Sequence, residues 1–326
     1  MQKILQYAEL KISFCEKRKV LKIMMKKSRP ALIIIILSVL VAIPLFLLLF
    51  LPQLRNFRAD SPPFPETLEY CGESYSARDF IVGCIMHNMT VLSEPPTEKQ
   101  QAGINSAACC IKNSVTYLIS KDQLSRKSFP AIYFMDCTEA SLYFGNDYPY
   151  YLESAEKAAD YALSKPQNSL FMPVCPLSSG MLIAPESVDI PHIKKLYCAK
   201  DKYNDFYEGE CQLTETGIAE KLLSAFPTLI IPPVEKSMIT DIKTDENGNV
   251  LSLKCCDINM SGYQFIRLFD IPSVNFKMSR SQNLYSFKTK GVGDSTGMSF
   301  YSALMLSESG MTAEEITEMF FGDNDR

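Results

Sequence analysis

The chain has 326 residues, 47% of them hydrophobic, and a formal net charge of −4. A mildly acidic chain argues against nucleic acid as a ligand, because phosphate binding rests on a basic surface. Two histidines and no Cys-x-x-Cys pair give no pattern for a metal centre, and neither a metal nor any other cofactor is expected.

Charge is distributed unevenly. Residues 1–30 carry nine Lys/Arg against Glu9 and Glu16, a net +7, and the remainder carries −11. Residues 31–51 are 21 uncharged and almost wholly apolar positions. At about 1.5 Å per helical residue they span the roughly 30 Å hydrocarbon core of a bilayer. Pro44 lies inside the run, which membrane helices tolerate. The run is too long for a signal-peptide core and no small-x-small cleavage pattern follows it, so it predicts one uncleaved transmembrane anchor. The basic flank places the N-terminus in the cytoplasm and the large acidic part outside the cell membrane. Met24 or Met25, ahead of Lys26-Lys27-Ser28-Arg29, is an equally sensible start, which would make residues 1–23 an extension. Residues 52–66 read as a linker kept extended by Pro62, Pro63 and Pro65, leaving 67–326 as the extracytoplasmic domain.

Within that domain, Tyr75 to Met89 predicts a helix, since Phe80, Ile81, Cys84, Ile85 and Met89 recur at helical spacing. Ser93-Glu94-Pro95-Pro96 breaks the chain. Thr97-Glu98-Lys99-Gln100 has the form of a capping box for a second helix, whose stripe is Ile104, Ala108, Ile111, Val115 and Leu118. The two should pack as a helical lobe. Cys84, Cys109 and Cys110 fall in these patterns, so buried thiols are favoured over a disulfide framework. Phe129 to Asp160 is ambiguous, with Ser154 to Leu163 helical. From Leu170 onward prolines 173, 176, 185 and 191 punctuate strands and loops. Gly209 to Leu213 reads as a strand entering a helix over Thr214 to Leu223. The firmest local signal is a hairpin, Val234–Thr244 and Val250–Ile258, about Asp245-Glu246-Asn247-Gly248-Asn249. Ser261-Gly262 reads as a further turn, and Ser273–Arg280 and Leu284–Lys288 as strands. The fold class expected is α+β, a helical lobe packed on a β-rich body.

The C-terminus, Gly291 to Ala303 followed by Ser309 to Gly322, reads as a glycine-rich loop, a short helix, a glycine break and a second capped helix. Gly291, Gly293 and Gly297 allow close backbone approach. A helix behind such a loop offers free N–H groups, which taken alone hints at phosphate. The segment is therefore either a binding site or a tight structural corner.

Six stretches, in order, resemble the stage II sporulation protein D family, which includes amidase enhancers and peptidoglycan lytic transglycosylases. Ala77 to Met89 is similar to Tyr-Val-x-Gly-Val-Val-x-x-Glu-Met, and Ala102 to Tyr117 to the family's next helix. Val174 to Gly180 resembles the His-x-x-Ser-x-Gly segment, Asp189 to Leu196 the Val-Pro-Tyr-Leu segment, and Ser261 to Ser273 the Gly-x-x-(Leu/Phe)-Arg segment. Gly291 to Ala303 resembles Gly-x-Gly-His-Gly-Val-Gly-Met-Ser-Gln-Tyr-Gly-Ala. The resemblance covers about Leu68 to Gly322.

The resemblance implies a wall-directed domain whose cleft is lined by Asn88, Ser179 and Asp294, with Cys175, Ser178, Gly180, Gly293, Gly297, Met298, Ser299 and Tyr301 as further substrate-binding positions. It also marks a loss. The family's catalytic Glu falls on Asn88, its glycine-loop His on Asp294, a Gln on Phe300, a Gly on Ser302, and the His before Ser-x-Gly on Cys175. Breaking a glycosidic bond needs a carboxylic acid, and an amide only hydrogen-bonds. Substitute carboxylates would be Glu94, Glu98 or Asp294, although each has a plainer reading as linker, first-turn charge or cap. The expected partners are peptidoglycan glycan strands and other membrane-anchored sporulation or cell-wall proteins. Three functions compete: a binder that does not cut, an active lytic transglycosylase, and an unrelated anchored domain with a structural role.

Overall fold

The computed structural model describes residues 64–124, 132–166, 168, 170–182, 195–231 and 236–322. The anchor assigned to 31–51, the linker up to residue 63, His192 and most of the Asp189–Leu196 stretch lie outside these residues. Among the described residues no helix is long and apolar enough to cross a membrane.

The domain is α+β and has two hydrophobic cores. It opens with a hairpin, β1 (Thr67–Tyr70) and β2 (Glu73–Ser76), which the sequence reading did not find. Ser76 then caps α1 (Ala77–Asn88) by accepting from the Asp79 N–H, so this helix starts two residues later than predicted. Thr97 and Gln100 form the predicted capping box, one turn of 3-10 helix leads in, and α2 (Gln101–Ser120) follows. The ambiguous region resolves into α3 (Cys137–Phe144) and α4 (Tyr148–Ser164).

The long helix α2 is the axis of the first core and packs against α4 and against two C-terminal helices, α7 (Phe300–Glu308) and α8 (Ala313–Phe321). One charged residue sits in its apolar face. Lys112 is buried, and its Nζ donates to the carbonyls of Ala162 and Lys165 at 2.6 Å each. The ammonium thereby caps the C-terminal end of α4, where a cation complements the orphan carbonyls and the helix dipole. Burial lowers its pKa, partly offset by Cys109.

The second core is built entirely from residues between the two halves of the first. It comprises β4 (Glu208–Thr214), α5 (Glu215–Ala225), β5 (Ile239–Thr244), β6 (Val250–Cys255), β7 (Ile258–Ser261), α6 (Gly262–Phe269), β8 (Asn275–Ser281) and β9 (Leu284–Lys290). These strands form two antiparallel sheets, ordered β4-β9-β8 and β5-β6-β7. The Asn-Gly hairpin is present as β5–β6. Its outer portion shortens because Cys256-Asp257 turns the chain into β7. Ser261-Gly262, read as a turn, instead starts α6. Ser261 accepts from the Gln264 N–H while the Gln264 amide accepts from the Ser261 N–H. The Ser-x-x-Gln pattern was a capping box.

The chain returns to the first core through the glycine loop and β10 (Met298–Ser299), which pairs in parallel with β3 (Val174–Cys175). The short helix, the Gly310 break and the Thr312-capped second helix are as predicted. All ten cysteines of the domain are free thiols.

Candidate functional site

The glycine loop runs along the seam between the two cores. Gly291 N–H donates to Tyr207 O, and Val292 and Leu177 exchange both backbone bonds. Gly293 N–H donates to Pro272 O, and its own carbonyl accepts from Val274. At Gly297 (φ +78°) a Cβ would stand 2.1 Å from Pro173 O, so only glycine allows the adjoining Met298 N–H to reach Pro173 O at 2.9 Å. Two N–H groups in the first turn of α7 are occupied as well. Ser299 Oγ accepts from Ser302 N–H, and Tyr301 N–H donates to Pro176 O. The loop is a structural corner in which the N–H groups of Gly291, Val292, Gly293, Thr296 and Met298 donate to protein partners.

Behind this corner lies a residue that sequence reasoning missed. Asp201, fully buried in a short 3-10 turn, accepts from Ser178 N–H (2.9 Å), Ser178 Oγ (2.5 Å), Ser299 Oγ (2.7 Å) and Ser302 Oγ (2.6 Å). Burial raises its pKa, and these four donors pull the other way. One carboxylate therefore ties the Ser178–Gly180 turn to β10 and α7. Asn249, also fully buried, does the equivalent work for the second core. Its amide accepts from Ser179 Oγ (2.8 Å) and from Asn275 Nδ2 (3.1 Å), while its own Nδ2 donates to Asp245 (2.9 Å). Ser179 N–H in turn donates to Ser295 Oγ in the glycine loop.

Asn88 and Asp294 are both only 2% exposed. Asn88 Nδ2 donates to Cys84 O at 2.8 Å, one turn back along α1. With Cys84, Ile111, Ser114, Ile132, Tyr133 and Val174 it encloses a cavity of about 10 Å³, room for about one water. The cavity joins Asn88 to the glycine loop by two routes. Val174 pairs with Met298, and the Tyr133 hydroxyl lies 3.0 Å from where a Cβ on Gly293 would stand. Three buried oxygens here, Asn88 Oδ1, Tyr133 OH and Asp294 Oδ2, have no hydrogen-bond partner among the described residues.

Tyr133 is clamped between two cationic or basic groups. The His87 ring stacks on it at 5.0 Å and 11°, and the Arg267 guanidinium lies 5.3 Å from its centroid. Burial, aided by Arg267, lowers the His87 pKa to about 4. Burial raises Asp294 to about 6, against the opposing pull of the Thr296 N–H and of Arg267. The Tyr133 hydroxyl is pushed well up by burial and by Asp294.

The remaining predicted positions separate into two groups. Cys175, Ser178, Gly293, Gly297, Met298 and Ser299 are buried; Ser179, Gly180 and Tyr301 are partly exposed around the Ser178–Gly180 turn and the start of α7. Gly180 is left-handed (φ +101°), beside the Tyr207 hydroxyl. Glu94 and Glu98 are both exposed, unlike the Asn88 pocket. Among the described residues no three His, Cys, Asp or Glu side chains converge as a metal site. No protein-family model matches the chain, and no curated protein matches it.

Proposed function

We propose that this chain is a membrane-anchored, wall-directed protein of the sporulation protein D type, which holds peptidoglycan glycan, or a wall-remodelling partner, without cutting it. The family assignment rests on six sequence segments in order, and the α+β fold with a glycine-loop corner is compatible with it. The non-cutting reading is carried by one observation. The position of the family acid is Asn88, an amide bonded to Cys84 O in a cavity about one water in size. Such a group neither titrates usefully nor meets a sugar. Residues 31–51 supply the anchor, with the N-terminus in the cytoplasm.

A second reading, a lytic transglycosylase with a substitute acid, is favoured by Asp294. Its carboxyl has an unpartnered oxygen and a pKa raised to about 6, a suitable range for a proton donor. Its burial counts against it. Incubating full-length protein with purified glycan strands separates the two. The binding reading expects retention on sacculi with no anhydro-muropeptides released; their release, abolished by Asp294→Asn, would establish the second reading instead. Protein that stays off sacculi would sink both and leave a structural role. A reporter fused at either end tests the orientation.

A further inference from the structure

A sealed Asn88 pocket leaves the question of where a sugar could make contact. On the outer side of the Ser178–Gly180 turn an open groove of about 550 Å³ is lined by Lys202, Asn204, Asp205, Tyr207, Glu208 and Lys290. Its floor is fixed. Tyr207 donates its hydroxyl to Ser179 O (2.8 Å), and its carbonyl accepts from Gly291 (2.7 Å). Asn204 Nδ2 donates to Val91 O at 2.9 Å. Asp201, three residues before Asn204, anchors the backbone beneath. A preformed floor of this kind lowers the ordering cost of binding.

Exposed aromatic residues alternate in sequence with the lining residues. Tyr203 is 72% exposed and Phe206 40%. Lys202 Nζ lies 4.9 Å from the Tyr203 centroid, which sets that ring beside a residue that lines the groove. Tyr197, 62% exposed, stands opposite Met181, one residue past Gly180. Rings of this kind offer flat apolar area at little rotamer cost, with a polar tip. The lining charges balance, Lys202 and Lys290 against Asp205 and Glu208, so the groove has no net pull on a polyanion such as nucleic acid or an anionic lipid surface. It presents donors and acceptors side by side, as a chain of hydroxyl and acetamido groups requires.

We propose that this groove is a saccharide-binding site for a neutral, N-acetylated glycan chain, with Tyr203 as its stacking platform and Lys202, Asp205 and Glu208 as its polar contacts. The proposal rests on the wall-binding reading above and gives it a location. The test uses full-length protein in detergent, with the tetramer of β-1,4-linked N-acetylglucosamine as a defined probe and purified sacculi as the natural polymer. The wild type binds both. Tyr203→Ala and Lys202→Ala each weaken tetramer affinity at least tenfold and reduce retention on sacculi, with unchanged melting temperatures because both side chains lie at the surface. If the wild type binds and both variants bind equally well, the groove is not the site, although the wall-binding reading survives. If the wild type binds neither probe, both ideas fall. If the variants alter self-association and leave glycan affinity untouched, the rim is an interface between copies, and the saccharide assignment is wrong.

Discussion

Ser302 Oγ donates to Asp201 Oδ1 across 2.6 Å, with both side chains buried, at a position where the resembled family carries glycine. Ser302, in the first turn of α7, is thus committed to holding that helix against the Ser178 turn. Replacing Asp201 by Ala leaves three buried hydroxyls and one N–H without their acceptor. Each buried group so abandoned costs about 1–3 kcal/mol, softened by re-pairing. Asp201→Ala is expected to lower the unfolding free energy by about 3–5 kcal/mol in a urea titration, and Ser302→Gly by about 1–2 kcal/mol.

Asp294 makes a prediction with a definite sign. Its folded pKa, about 6, lies above the ordinary 3.8. A raised acid favours the folded state below its unfolded pKa, and that contribution is lost as pH rises through the folded value. The difference corresponds to about 3 kcal/mol. Asp294→Asn should therefore stabilise the domain by up to about 3 kcal/mol at pH 7.5 and by almost nothing at pH 4, as read from melting curves at the two pH values.

His87 works in the opposite direction over nearly the same window. Its folded pKa of about 4 lies below the ordinary 6.5, so its contribution is present above pH 6.5 and is lost as pH falls towards 4. These two groups offset each other in the wild type between pH 4 and 6. Removing Asp294's titration should expose an acid lability of about 3 kcal/mol at most, and adding His87→Phe should remove it. An acid lability that persists in the double variant would assign it to other groups.

At the corner itself, Gly297→Ala should cost at least about 3 kcal/mol, since it joins a left-handed φ to a Cβ only 2.1 Å from Pro173 O. Gly310→Ala, also left-handed but with open space around it, should cost only about 1 kcal/mol. Hydrogen exchange at Met298, whose N–H donates to Pro173 O, should accelerate in the first variant and not in the second.

Asn88→Glu restores the family's acid at that position. The cavity has room for about one water, so an added methylene fills it and the new carboxylate is left without solvation. The variant is expected to be destabilised by about 2–4 kcal/mol and to release no anhydro-muropeptides from glycan strands. Cleavage by this variant would mean that the pocket opens in solution and that the rest of a catalytic site is intact.

Apolar stripes and local caps made much of the fold legible. Helix α1 is visible in Phe80, Ile81, Cys84 and Ile85, and the β5–β6 hairpin in Asn247-Gly248. The β1–β2 hairpin was hidden because its strands are four residues each and β2 is largely exposed. The site was less legible still. Lys112 lies on an apolar face where charge reads as an exception. Tyr133 meets His87 and Arg267, and Asn249 meets Ser179 and Asn275, only through contacts far apart in sequence. Asp201 was anonymous among neighbouring charged residues, and the three serines that converge on it span positions 178 to 302. Single-sequence patterns report what repeats every two or nearly four residues, and none of these contacts does.

The parallel pairing of β3 with β10 has a consequence for synthesis. Residues 208–290, which form a complete second core, emerge from the ribosome before the strand and helices that finish the first. Until β10, α7 and α8 arrive, the apolar side of α2 waits without its cover, and the inserted unit has every partner it needs. The inserted unit should therefore reach its native form first, and the first core, with its N-terminal helices, last.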